Sequence, residues 1–314
     1  MLDKLLSKKL FFIQIIIIVF TSGLGILLVN TDSYLQRYSI AIALFAFNWY
    51  LIVSYFNEDQ SLKENNYAIW FYSIWMIPFT QFFIDYRFAF ALLLMNWVMI
   101  KVLQYEDDKN DVRSAFEIGL FLVTASFFLP PIAYLYPILL VYFLSLRSIN
   151  SSIYWMYFVG FAIPILAIVQ ILYLLDYTFM FDYYTERFML DFAQWNNYFV
   201  LLMPILVVLI LAIIDHIMNQ NKQSANRKRM YILMIGFLMF WLVLFFLFNA
   251  QYTYYLAFLA LPMSIMLGKY VKHLKSNFNI FKNAILIGFL VLMILYTFLN
   301  KMPKIYSLFG EVTI

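Results

Sequence analysis

Apolar runs of about 17 to 25 residues recur along the chain, separated by short polar interruptions, and each is long enough to cross a hydrocarbon core of roughly 30 Å as a helix. In lipid such runs are helical, because only a helix satisfies its own backbone donors and acceptors within one segment. The first, Leu10–Val29, follows Lys4, Lys8 and Lys9 and lacks a small-residue cleavage exit, so it reads as an uncleaved signal anchor. Spans are then predicted at Ser39–Phe56, Tyr67–Ile84, Phe88–Leu103, Ser114–Leu129, Ile132–Leu146, Ile153–Leu175 and Phe199–Met218. A ninth begins at Met230, a tenth ends near Gly268, and an eleventh covers Asn283–Asn300.

Proline punctuates this pattern. Pro130-Pro131 ends the fifth span, since proline lacks a donor and disfavours helix in the residue before it. The sixth span is only about 22 Å long by helical rise. The pair over 115–146 is therefore either two full crossings or a shallow re-entrant hairpin, and both alternatives return the chain to the same side. Pro78, Pro164, Pro204 and Pro262 are expected to kink their helices.

Charge orients the scheme. With the N-terminus inside, the 21 Lys and Arg divide sixteen to five between inner and outer loops, which agrees with the positive-inside rule. The expected fold is an all-α polytopic transmembrane helical bundle of about eleven spans, N-terminus cytoplasmic and C-terminus outside. It is expected to form a single integral membrane domain over 1–314 without a soluble domain, the longest polar segment being only about twenty residues. No convincing internal repeat supports an inverted-repeat transporter.

Composition reinforces the membrane reading: 65% of residues are hydrophobic and 12% charged, an apolar share that a water-facing surface does not accommodate. The net charge of +4 lies in short clusters beside apolar spans, so nucleic acid is not an expected partner. Cysteine is absent, which removes disulfides, thiolate metal sites and a cysteine nucleophile.

Candidate chemistry is sparse. Glu117 is the one acid placed well within a span; it is a candidate proton or cation site, with a plainer reading as an interfacial carboxylate beside Arg113 on the same helix face. Asp215 and His216 end the eighth span, and His273 falls in a basic loop. Two histidines without further ligand spacing predict no metal site. No nucleophile-elbow, phosphate-loop or zinc-protease motif occurs, and no cofactor is expected. On the outer side Arg37, Arg87 and Arg187 occupy separate loops, and arginine's planar fork suits phosphate or carboxylate. With Asp32, Asp85, Asp182, Glu186 and Asp191 they could line a site for a phosphate-bearing lipid head group; local pairing, such as Asp85 with Arg87 and Arg187 with Asp191, is the plainer alternative.

The longest acidic and aromatic interruption is Asp176–Tyr198. Within it Phe188, Phe192 and Trp195 fall at i, i+4 and i+7, which predicts an amphipathic helix near 183–196 at the outer interface. Such a helix serves as an anchor, a lid over a cavity, or a partner contact. Gln14, Asn48, Gln81, Asn96 and Gln170 are expected to hydrogen-bond between helices, at about 1 kcal/mol or less each.

The order SAFEIGLFLVTASFFLPPIAYLYPILLVYFLSLRSINSSIYWMYFVGFAIPILAIVQ over 114–170, with LAFLALPMSIMLGKY over 256–270, resembles an uncharacterised family of bacterial multi-pass inner-membrane proteins. The resemblance lies in the small-residue helix entering a proline break, the aliphatic helix ending at Leu146-Arg147, and Gly160 to Pro164 in the next span. It implies a bacterial inner-membrane location and carries no catalytic residues. Multi-pass lipid-linked-sugar glycosyltransferases use an acidic first external loop, which Asp32 mimics in a loop too short for their usual elaboration. Glycan polymerases and ligases use external arginines near a lipid pyrophosphate, as Arg37, Arg87 and Arg187 do in outline.

Two functions follow as expectations. The first is a non-enzymatic subunit or scaffold of a membrane complex, with the bilayer and other membrane proteins as partners. The second is an enzyme or transporter handling a polyprenyl-phosphate-linked glycan or lipid at the outer face, with Arg37, Arg87 and Arg187 binding and Asp32 or Asp182 as catalytic candidates. Glu117 is the candidate for an ion-coupled variant.

Overall fold

The computed structural model describes residues 2–28, 35–59, 62–79, 85–105, 112–144, 151–177, 186, 190, 202–220, 225–248, 252–274 and 278–301. Among them the chain is all-helical, with thirteen α-helices. These are α1 (Leu2–Leu6), α2 (Phe11–Leu28), α3 (Leu35–Glu58), α4 (Tyr67–Met76), α5 (Tyr86–Gln104), α6 (Val112–Phe128), α7 (Leu135–Leu144), α8 (Ser151–Leu174), α9 (Met203–Gln220), α10 (Ala225–Leu247), α11 (Tyr252–Phe258), α12 (Ala260–His273) and α13 (Asn279–Lys301). A 3-10 helix, Pro130–Tyr134, joins α6 to α7.

Among the described residues five helices, over Ile40–Glu58, Tyr86–Gln104, Ser151–Leu174, Lys228–Leu247 and Asn279–Leu299, are long and apolar enough to cross a membrane. Shorter apolar helices cover Phe11–Leu27, Tyr67–Phe79, Pro130–Leu144 and Met203–Asn219.

The centre of the bundle is α4, all ten of whose residues are buried. Its closest neighbour is α12, and α2, α3 and α13 close around it. The approach of α12 is fixed by Gly268: a Cβ there would stand 3.0 Å from the Ala68 backbone nitrogen. Two indoles of α4 place their polar edges against neighbouring backbones, Trp70 Nε1 donating to the Leu286 carbonyl at 3.3 Å and Trp75 Nε1 to the Leu256 carbonyl at 2.6 Å. Phe71 meets Phe289 of α13 edge-on at 5.1 Å, a favourable aromatic geometry.

A second row runs outward from α3 through α5 and α6 to α8. Between α3, α4 and α5, Asn48 Nδ2 donates to the Tyr72 hydroxyl at 2.8 Å and Asn96 Nδ2 donates to Asn48 Oδ1 at 2.8 Å, so these buried amides bond between helices as expected. Gln14 also does so, whereas Gln170 lies exposed on α8 and Gln81 falls outside the described residues. The contact of α6 with α8 brings backbones together through two glycines. A Cβ on Gly119 would meet the Tyr157 carbonyl oxygen at 2.5 Å, and one on Gly160 would collide with that of Phe116. Small residues of this kind let membrane helices approach closely.

Several expected boundaries move. The third span stops as α-helix at Met76 and ends in a 3-10 turn over 77–79, where Pro78 has no N–H with which to continue the helical ladder. Pro204 and Pro262 sit in the first turns of α9 and α12, where a missing N–H breaks no intrahelical bond, so they start helices instead of kinking them. Pro164 alone stands inside a long helix, α8. The tenth span divides at Leu259 into α11 and α12, and α12 continues past Gly268 to His273. Helix α10 begins at Ala225, five positions before Met230, so the basic run Arg227-Lys228-Arg229 forms its opening turns. Long cationic side chains reach the interface from such turns.

Candidate functional site

Most of the charged side chains with contacts in the described residues lie at one end of the bundle, where α1, α2, α4, α6, α10 and α13 begin and α3, α5, α9 and α12 finish; Asp85 and Arg87 lie at the start of α5, and the amides of Asn48 and Asn96 at mid-depth. Cross-links between these ends define the face. Gln104 Nε2 donates to Glu58 at 3.3 Å, Lys101 Nζ meets Glu117 Oε2 at 2.9 Å, and Lys272 Nζ meets Glu64 Oε2 at 2.6 Å. The α1 turn lies across it, with Tyr67 Oη donating to Asp3 Oδ1 and the Asp3 backbone N–H donating to Asn283 Oδ1 at 3.0 Å.

The densest group is built by α9, α10 and α12. His273 Nδ1 lies 2.8 Å from Asp215 Oδ2, and Asn219 Nδ2 donates to Asp215 Oδ1 at 2.9 Å. The next residue of α9, His216, stacks its ring on Tyr231 at 3.5 Å between centroids, and Lys269 Nζ stands 4.6 Å from the centroid of the Tyr231 ring. His216 and Lys269 are buried, and His216 Nε2 has no hydrogen-bond partner. The C-termini of α9 and α12 both arrive here, so their dipoles favour the Lys272 cation.

Both side chains of the Asp215–His273 pair are partly exposed. No group of three or more His, Cys, Asp or Glu that could hold a metal occurs among the described residues. The expectation that His273 lies in a loop is corrected: it ends α12, and helix length brings it to Asp215 across 58 positions of sequence. At the same face, the Lys272 hydrogen bond and charge hold the Glu64 carboxyl below its usual range, with Lys63 adding to the effect.

The other sequence candidates separate. Glu117 is held by two cations, Lys101 from α5 and Arg113 Nε at 2.8 Å from its own helix, so its carboxylate is part of an ion-paired edge. The Lys101 partner was not legible, because it comes from a neighbouring helix. Asp85 caps α5 by accepting the Arg87 backbone N–H at 2.9 Å, and the Arg87 guanidinium lies 5.9 Å from the Tyr86 ring centroid. Arg37 is in the first turn of α3 and its side chain is outside the described residues. Asp32, Asp182, Arg187, Asp191, Phe188, Phe192 and Trp195 also fall outside them, and with them the expected interfacial helix.

Sequence reading missed the amide chain at the start of α2. Gln14 Nε2 donates to Asn57 Oδ1 at 3.2 Å and Asn66 Oδ1 at 2.9 Å, and Asn66 Nδ2 donates to the Lys8 carbonyl at 3.0 Å. The available signal was that Gln14, Asn57 and Asn66 are each the amide nearest the same end of adjacent spans.

No curated protein and no solved structure shows a significant match to the chain. Its sequence matches the profile of one family over residues 1–306, nearly end to end, and the protein therefore belongs to the family of unknown function DUF6427.

Proposed function

We propose that the protein is a non-enzymatic subunit or scaffold of a bacterial inner-membrane assembly, with its polar end in the cytoplasm. One observation carries the reading. The described ion pairs lie at one end of the bundle, while its depth is filled by carbon and by interhelical amides. Such an interior holds helices in fixed register and, among the described residues, offers no charged side chain to a reaction at mid-depth.

Helix α8 supports the same reading. It is long, apolar and the least covered of the five crossing candidates, with Trp155, Phe158, Leu166 and Tyr173 exposed. This is a surface for lipid and for transmembrane helices of a partner. The sixteen-to-five division of Lys and Arg supports eleven passages with the N-terminus in the cytoplasm and the C-terminus outside, 115–146 counting as a pair.

Affinity purification in mild detergent, followed by cross-linking mass spectrometry, is the test. A reproducible membrane partner cross-linked at α8 is the expected result; a protein that purifies and runs alone overturns the proposal. A reporter fused to the C-terminus is expected to be active only outside the cytoplasm. The outer-face enzyme reading rests on residues of which only Arg87 has a described side chain, and substituting Arg37, Arg87 and Arg187 together without phenotype would end it.

A further inference from the structure

Helix α10 turns Tyr231, Met234, Phe237 and Trp241 into the bundle and leaves Ile232, Met239, Val243 and Phe246 exposed. Gly236 lies on the exposed side, and a Cβ built there would have nothing within 4 Å. Steps of three and four residues keep one face of a helix, and they connect Ile232, Gly236, Met239, Val243 and Phe246 into one outward stripe. Carried back by one turn, the same steps reach Arg229 and Lys228, both partly exposed. The stripe therefore opens on two cations and continues as hydrocarbon, with a furrow at Gly236 where the helix backbone is bare.

The hairpin that α9 and α10 form is lopsided in charge. Between residues 203 and 247 it holds Lys222, Arg227, Lys228 and Arg229 against one acid, Asp215. That carboxylate already accepts from Asn219 and lies 2.8 Å from His273 of α12. On the bundle side of the same turns Lys269 brings a further basic group, 4.6 Å from the Tyr231 ring centroid. The first turn of α10 contains no acid, and the helix dipole adds partial positive charge at the end where Lys228 and Arg229 stand. All these terms favour a negative group supplied from outside the chain.

We propose that the outward stripe of α10 binds an anionic phospholipid of the bilayer, with Lys228 and Arg229 on its phosphate and one acyl chain running over Gly236 between Ile232 and Met239. The arrangement selects the ligand. A guanidinium fork matches two phosphate oxygens, and an ammonium adds a point charge. The apolar strip below them asks for an anion joined to hydrocarbon, so a free phosphate ester would leave it uncovered. A zwitterionic lipid brings its own cation to two others, and a partner helix would have to carry an acid to the same level. Basic residues at the end of a membrane helix attract anionic head groups in this way. The inference needs only that this end of α10 meets a membrane surface, and it holds whether or not the protein is a subunit of an assembly.

The test uses the full-length protein in phosphatidylcholine nanodiscs that contain phosphatidylglycerol or phosphatidylcholine with the same photoactivatable acyl chain. The phosphatidylglycerol probe is expected to label residues 232–239 in preference to the phosphatidylcholine probe, and to show no such preference on the exposed side of α8. Lys228→Gln and Arg229→Gln are each expected to raise the phosphatidylglycerol fraction needed for half-maximal labelling about fivefold, the usual worth of one cation beside an anionic lipid. Gly236→Leu fills the furrow and keeps both cations, and it is expected to lower labelling of 232–239. Thermal unfolding of the three variants confirms that they fold. Glycerophosphoglycerol, the head group without chains, is expected not to compete. Equal labelling of α10 by the two probes, a preference as large on α8, no response to replacing both cations, or competition by glycerophosphoglycerol overturns the inference. Cross-linking of another protein's helix to 232–239 in the native membrane does so too.

Discussion

Helices α4 and α8 are both apolar and rich in aromatics, yet one is wholly buried and the other almost bare. The difference is made by how many neighbours surround each, since α4 packs against α2, α3, α12 and α13, while α8 packs mainly on α6 and α7. Trp70 and Trp75 of α4 each donate an indole N–H to a backbone carbonyl of another helix, the Tyr72 hydroxyl accepts from Asn48 and Asn96, and Gly268 lets α12 lie close alongside. On α8 one stripe, Ile153, Tyr157 and Gly160, is buried, and the rest faces outward. Hydrophobicity therefore places a segment in the membrane without saying whether lipid or protein surrounds it, because lipid tails are as apolar as leucine.

The comparison is easiest to break on α4. Trp75→Ala removes a ring and leaves the Leu256 carbonyl without its donor, and a loss of about 3–5 kcal/mol is expected in reversible unfolding in micelles. On the buried stripe of α8, Gly160→Leu drives a side chain into the Phe116 backbone and should cost about 1–3 kcal/mol in the same measurement. On its outer face Leu166→Ala is expected to stay within about 0.5 kcal/mol in detergent. A larger loss there, found only in the native membrane, would identify a surface covered by a partner.

The smallest effect belongs to the exposed Glu64–Lys272 pair. The folded-state pKa of Glu64 lies below its unfolded value of about 4.3, so the contribution is present above that value and is lost as pH falls through the folded one. A stability profile below about pH 5 is expected to flatten slightly in Glu64→Gln, and 0.5 M salt should have the same effect.

The helices themselves were largely legible, because an apolar run bounded by charge has few alternatives in lipid. The break at Pro130-Pro131 and the interhelical roles of Asn48 and Asn96 follow from local residue chemistry. What was not legible depends on neighbours far away in sequence. Nothing near Tyr67–Met76 distinguishes a central helix from a peripheral one until Gly268 and Trp70 find their partners. Asp215 with His273, and Glu117 with Lys101, were invisible for the same reason: the pairing is set by where two helices end, which hydropathy fixes only to within a turn or so.

The turn of α1 imposes an order on biogenesis. Its Asp3 N–H bonds to Asn283, 280 positions later, and its Asp3 carboxylate and Leu6 carbonyl bond to Tyr67 and Asn66. At synthesis rates of about 5–20 residues per second, α1 waits tens of seconds after it is made for the helix that completes its contacts. Until α13 is inserted, the turn is held by Tyr67 and Asn66 alone, so its bonds to the α4 side precede its bond to Asn283.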